Sequence, residues 1–307
     1  MAWILVLLPV FYALYVGALW LIQDRMVFPA DMAGPVSGAF RGPAQYERWP
    51  IDLGADARPP RDGSAHREVE AWFFPAPGND TGGASLQPGP AVIHFHGNAE
   101  LIDHQEHIVM GYHRLGVSVL LAEYRGYGRS AGNPTQQYVV EDAVAWVDRL
   151  LADPRVDAER FAIHGRSIGA SVAQQVAAQR TPQALVLETA TSHIAPMAWR
   201  FGIPPAVMRH RFDGRAVLLT TPAYVLVFQA QNDPIFPPKH GHKILELAGD
   251  RAKLVTYDTD HVAFPGDANW KAYWVEIEQA LADAGVLPDD AAASAPESGP
   301  ESARAAR

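Results

Sequence analysis

An α/β fold, with a mostly parallel sheet covered by helices on both faces, is what the chain between Val27 and Leu287 predicts. Two observations carry the prediction. Short apolar runs alternate with helical patterns, and the runs are apolar on both sides, as in strands buried on both faces. No repeat at solenoid or propeller periods competes with this reading.

The elements follow in order. Trp3 to Ile22 (WILVLLPVFYALYVGALWLI) is twenty residues without a charge, and a helix of that length rises about 30 Å, the thickness of a bilayer's hydrocarbon core. Trp3 and Trp20 suit its two interfaces, and Pro9 is tolerated in a membrane helix. A cleaved signal peptide fits less well. No Lys or Arg precedes the run, and Leu-Trp-Leu-Ile prolongs it past the small residues Val16-Gly17-Ala18. Residues 1–26 are therefore expected to be an uncleaved transmembrane anchor; Arg25, the cation beside its end, faces Asp24 and leaves the membrane side open.

Strand-like runs come next at Glu68–Phe74, Ala91–Phe95, Val117–Ala122, Phe161–His164, Ala184–Leu187, Tyr224–Phe228 and Lys253–Tyr257. Helical patterns fall between them at Glu100–Leu115, Tyr138–Leu151, Ile168–Gln179, His240–Leu247 and Asn269–Ala284. Val139, Ala143, Trp146, Val147 and Leu150, for instance, recur at three- and four-residue spacing and make one apolar face. Ala76–Pro90 is rich in Gly and Pro and reads as a surface loop. From Asp289 onward no large apolar residue occurs, so residues 288–307 are expected to be a disordered tail. The folded unit is then a single domain over 27–287.

Composition narrows the chemistry. The chain has no cysteine, which excludes a disulfide scaffold, a Cys-ligated zinc and a thiol nucleophile. A formal net charge of −9 argues against nucleic acid as a partner.

In a parallel sheet the chemistry sits at the carboxyl ends of the strands. G-x-S-x-G occurs twice, around Ser130 and around Ser167. The motif describes a serine on a sharp strand-to-helix turn, whose neighbours two residues away must be small. Ser167 has a strand (FAIH) before it and an unbroken helical pattern after it. Ser130 is followed by Asn133-Pro134, which stops a helix from starting there, so it reads as a loop serine. The same residues forbid reading Gly126-x-Gly128-x-x-Ala131 as a dinucleotide fingerprint, and no cofactor is expected.

A serine hydroxyl needs a base, and the base an orienting acid. In the strand-end order that follows Ser167, His261 lies after Lys253–Tyr257 and Asp233 after Tyr224–Phe228; Glu188, ending an earlier strand, is the second candidate acid. His240 and His242 near a helix start read as surface residues. An oxyanion would be held by the backbone N–H of Ile168, at a helix N-terminus, and by that of Asn98 in the loop His96-Gly97-Asn98 after an early strand. His94, His96, His104 and His107 lack the spacing of a zinc motif and are read as core or surface residues.

The segments HFHGNAE, EYRGYGRSAGNPTQQYVVEDA, HGRSIGAS, LETATSH, QNDPIFPPKHG and the final Asp260-His261 together resemble the α/β-hydrolase superfamily. More narrowly, they are similar to its membrane-anchored α/β-hydrolase-domain branch, which includes acyl-protein-thioesterase-like enzymes. The resemblance runs over about 27–287. It implies Ser167 as nucleophile, Asp233 as acid, His261 as base, and Asn98 and Ile168 as oxyanion donors. It also implies that Thr191 to Leu219, which breaks the strand–helix rhythm, caps the site. Two departures stand out: Asp260 where the family usually has Gly, and the run Glu100-Leu101-Ile102 after the oxyanion loop. The function expected is a serine hydrolase of acyl esters or thioesters, with a peptidase or amidase, or a silent membrane-tethered interaction module, as the other readings.

Overall fold

The computed structural model describes residues 2–287 apart from 35, 37–39, 41–45, 62 and 78–86, with side chains from residue 7 onward. Most of the expected 76–90 loop and the whole expected tail lie outside the described residues.

A long helix α1 (Ala2–Val27) opens the chain. Four short strands follow: β1 (Glu47–Arg48), β2 (Ile51–Asp52), β3 (Glu68–Val69) and β4 (Ala71–Phe74). The alternation read from the sequence then begins with β5 (Gly89–Phe95), α2 (Glu106–Arg114), β6 (Ser118–Ala122), α3 (Gln136–Leu151) and β7 (Val156–Arg166). It continues through α4 (Ile168–Ala177), β8 (Ala184–Glu188), α5 (Arg215–Thr220), β9 (Tyr224–Ala230), α6 (Lys239–Ala248), β10 (Ala252–Tyr257) and α7 (Trp270–Asp283).

Eight strands form one sheet in the order β1-β4-β6-β5-β7-β8-β9-β10. The six from β6 to β10 are parallel, and β4 and β1 join antiparallel at one edge. Residues of β6 and β8 are buried on both faces, which is why these strands read as unbroken apolar runs rather than alternating ones. One face packs on α3 and α4 through Val139, Trp146, Val147, Leu150, Val172 and Val176. The other packs on α2 and α7 through Ile108, Tyr112, Tyr273, Ile277 and Leu281. From β5 the chain crosses outward to β6, then returns past β5 to β7. The crevice at the carboxyl ends of β5 and β7 is therefore the switch point where open α/β sheets place ligands.

Local deviations have local causes. The helix expected from Glu100 starts at Glu106, because residues 102–104 form a 3-10 turn whose first N–H, from Ile102, is taken by the Glu123 carboxylate. Helix α3 starts two residues early, where the Thr135 hydroxyl accepts the Tyr138 N–H as an N-cap. Between β8 and α5 lie two 3-10 turns, Ala195–Phe201 and Pro205–Val207, in place of a regular crossover helix.

Helix α1 does not stand off from the domain. The Tyr12 and Tyr15 hydroxyls donate to the carbonyls of Gly202 and Phe201. The Gln23 side chain donates to Val207 O and accepts from Arg209 N–H, and Asp24 meets both Arg209 and His210. Just beyond its end, Phe28 is 2% exposed and meets the rings of His210 and Phe212 edge-on.

Candidate active site

Ser167 sits between β7 and α4 with φ 55° and ψ −115°. A side chain at positive φ is strained by about 1–3 kcal/mol, and such strain persists only where the surroundings enforce it. Here they do. The Ser167 N–H donates to Glu188 O at 2.9 Å on the neighbouring strand. A Cβ on Gly165 would lie 2.3 Å from Gly169 O, and one on Gly169 would lie 2.1 Å from Phe95 O. Both flanking glycines are thus demanded by backbone-to-backbone contact, the physical content of the motif.

The two partners chosen from strand order converge on this serine. His261 Nε2 lies 2.8 Å from Ser167 Oγ, and His261 Nδ1 lies 2.6 Å from Asp233 Oδ2. Asp233 is buried and its other oxygen accepts the N–H groups of Ile235 and Phe236 at 2.8 and 2.7 Å. With Oδ1 accepting two backbone N–H groups, Oδ2 is left to accept from Nδ1 of His261, which fixes the tautomer with the proton on Nδ1. Nε2 is then free to accept the serine proton. The other candidate acid is placed elsewhere. Glu188 accepts from His164 Nε2 at 2.7 Å and from the Tyr273 hydroxyl, while the Tyr112 hydroxyl donates to His164 Nδ1 at 3.0 Å. Burial alone would raise the Glu188 pKa, but His164 beside it and these hydrogen bonds hold it below the usual carboxylate value. This buried network lies directly under the serine turn and braces it.

The loop after β5 runs against the serine: a Cβ on Gly97 would lie 3.6 Å from Ser167 Cβ. Gly97 therefore lies against Ser167, with Asn98 next in the loop, and Ile168 follows the serine as the first residue of α4, where N–H groups have no intrahelical acceptor. The loop is pinned by a buried ion pair. His96 Nε2 faces Glu123 Oε1 at 2.6 Å and His96 Nδ1 faces Gly97 O at 2.8 Å, so only an imidazolium donates to both. Burial opposes that charge, but the Glu123 carboxylate raises the His96 pKa above its ordinary value. The Tyr124 hydroxyl adds a bond to His96 O.

Arg166, at the position the motif leaves open just before the serine, joins the two halves of the site. Its Nη1 lies 3.1 Å from Glu100 Oε1, while Glu100 Oε2 accepts the Gly97 N–H at 2.9 Å. Its Nη2 donates to the carbonyls of His261 and Val262. Sequence reasoning passed over Arg166 because the motif leaves that position open. It passed over Glu123 too, although a carboxylate abutting a buried strand end is a usable sign of a paired charge.

The remaining candidates are placed as follows. Asp260 does not address the imidazole: its Oδ1 accepts the Val262 and Ala263 N–H groups, which lower its pKa and fix the turn after His261. Ser130 is buried in a loop and accepts the Glu70 N–H at 3.0 Å. His240, read as a surface residue, is half-buried and bonded to Thr191 at 2.8 Å. His94 is buried against His164 and neutral, burial pushing it well below the ordinary histidine value; His104 accepts the Leu101 N–H.

The strand order and the strained serine at its switch point are those of the α/β-hydrolase fold, and the comparisons agree with that fold. A family profile described as "Hydrolase_4: Serine aminopeptidase, S33" matches residues 87–217. The Mycobacterium tuberculosis protein Rv2307c is 33% identical over 187 residues, 60% of this chain and 64% of that protein. Lysophosphatidylserine lipase ABHD12 of Gallus gallus is 24% identical over 235 residues, 69% of this chain and 59% of its own length. The chain thus spans less than two thirds of either relative. Among solved structures, an α/β hydrolase from Vibrio vulnificus superposes with a TM-score of 0.63 at 17% identity, covering 84% of this chain and 92% of that one.

Proposed function

We propose that the protein is a membrane-anchored serine hydrolase that cleaves carboxylic esters or thioesters of acyl chains. The observation that carries the proposal is the unbroken hydrogen-bond chain Asp233–His261–Ser167 on a serine held at positive φ. In this reading His261 takes the hydroxyl proton as Ser167 attacks the acyl carbon. The Asn98 and Ile168 N–H groups stabilise the oxyanion, and His261 returns the proton to the leaving alcohol or thiol. His261 then activates the water that releases the acid. The domain is 27–287, the insertion over 191–219 caps the site, and the apolar α1 supplies the anchor.

The aminopeptidase description of the matched family favours a second reading, peptide or amide cleavage. An aminopeptidase needs a free carboxylate to hold the substrate's ammonium group. Glu100, beside the serine's loop, has both oxygens engaged, by Arg166, Gly97 and Gln105, which favours the ester. Labelling by a fluorophosphonate probe in the wild type but not in Ser167→Ala tests the nucleophile. A p-nitrophenyl ester series set against aminoacyl amides separates the two substrates. Unchanged labelling in Ser167→Ala would end the proposal.

A further inference from the structure

We propose that the 191–219 insertion and α1 form one surface that docks on an anionic phospholipid leaflet, with the mouth of the Ser167 site at its edge. The inference rests on the anchoring reading above and goes beyond it.

From Tyr12 to Asp24 the helix is tied to the insertion by six side-chain contacts, and the Arg209 guanidinium also lies 4.6 Å over the Trp20 ring. These thirteen residues of helix cover about 18 Å, more than half the roughly 30 Å hydrocarbon core. Only residues 2–11 extend past that seam. An α1 immersed in lipid therefore carries the insertion to the bilayer with it; it is not a stalk that leaves the domain in water.

What the insertion presents there suits that position. Trp199 is 62% exposed and Phe201 46%, apolar rings of the kind that sit at headgroup level. The two backbone carbonyls at the end of this turn, Phe201 and Gly202, are satisfied by the Tyr15 and Tyr12 hydroxyls, which irregular backbone needs where water is scarce. The charge fits as well. The insertion and α1 together hold five arginines (Arg25, Arg200, Arg209, Arg211, Arg215) against two acids, Asp24 and Asp213, in a chain whose net charge is −9. A cationic face on an acidic protein is drawn to an anionic leaflet.

The same surface reaches the reacting groups. Arg200 donates to the Pro234 and Ile235 carbonyls, immediately after Asp233. Ile235 and Val262, the latter 82% exposed and next to His261, continue the apolar rim. An acyl chain leaving the leaflet beside this rim meets Ser167 without crossing open water.

The absence of cysteine makes the test direct. Single substitutions Leu21→Cys, Trp199→Cys and Val262→Cys, with Lys271→Cys on α7 across the sheet as reference, are labelled with a nitroxide in the full chain. The labelled proteins are then reconstituted in phosphatidylcholine vesicles containing phosphatidylglycerol. The ratio of oxygen to nickel-chelate collision rates is expected to be severalfold higher at 21, 199 and 262 than at 271. Omitting phosphatidylglycerol should lower that ratio at 199 and 262. A lipid signature at 21 with water at 199 and 262 overturns the docking surface while the anchor stands. Water at all three overturns both. Immobilisation of the 199 and 262 labels that depends on protein concentration and not on lipid assigns the face to a second copy and overturns the proposal.

Discussion

Replacing Ser167 separates the chemistry of the site from its strain. Ser167→Ala and Ser167→Gly both remove the hydroxyl and its 2.8 Å contact with His261. They differ in a Cβ at a residue whose φ is 55°. Alanine keeps the strain of about 1–3 kcal/mol that glycine relieves. Glycine in turn loses about 0.5–1 kcal/mol through the greater freedom of the unfolded chain. The middle of these ranges leaves Ser167→Gly more stable than Ser167→Ala by about 1 kcal/mol, and at about 2–4 °C per kcal/mol for a domain of this size the melting temperatures should differ by about 2–4 °C. Differential scanning calorimetry of the two variants in one buffer reads the difference, and both should fail to react with a fluorophosphonate. A glycine variant that melts at or below the alanine variant would show that the turn is not strained and would refute the reasoning.

Three further outcomes follow from the same geometry. Arg166→Met should lower kcat/KM for a p-nitrophenyl ester about 10–100-fold, roughly 1.4–2.8 kcal/mol, through kcat rather than KM, because it unlinks Glu100 from the loop that carries His261; partial recovery in Arg166→Lys is expected, and a wild-type kcat in Arg166→Met would remove the positioning role. His96 has a raised pKa in the folded state, so its contribution to stability is full below about pH 6.5 and is lost as pH rises through the folded value. Melting curves between about pH 6 and pH 9 should then fall more steeply for the wild type than for His96→Gln, and parallel curves would contradict the charged pair. Ser130→Ala should keep its activity yet lose about 1–3 kcal/mol of stability, since the buried Glu70 N–H loses its acceptor; loss of probe labelling in a folded Ser130→Ala protein would reopen the choice of nucleophile.

The sequence made the parallel core and the Ser167, Asp233 and His261 positions legible because each is a local matter. A buried parallel strand is a short apolar run, and strand ends in order predict which residues share the sheet's carboxyl edge. What the sequence hid are pairings made at long range. The carboxylate of Glu188 looks equivalent to that of Asp233 on paper, and only the neighbouring strand decides that it meets His164. Likewise the open position of the serine motif gives Arg166 no mark, since its partners lie 66 and 95 or more residues away at Glu100, His261 and Val262. The seam between α1 and the insertion joins residues some 190 positions apart, as between Tyr12 and Gly202, and composition carries no trace of it.

Phe28 sets where the chain can be shortened. Its ring fills the core between His210 and Phe212, so α1 ends in a plug rather than in a linker. A version that begins at Val27 keeps the plug. One that begins at Pro29 leaves a hole the size of a benzyl group, at a cost of about 3–5 kcal/mol by the measure of buried phenylalanine truncations.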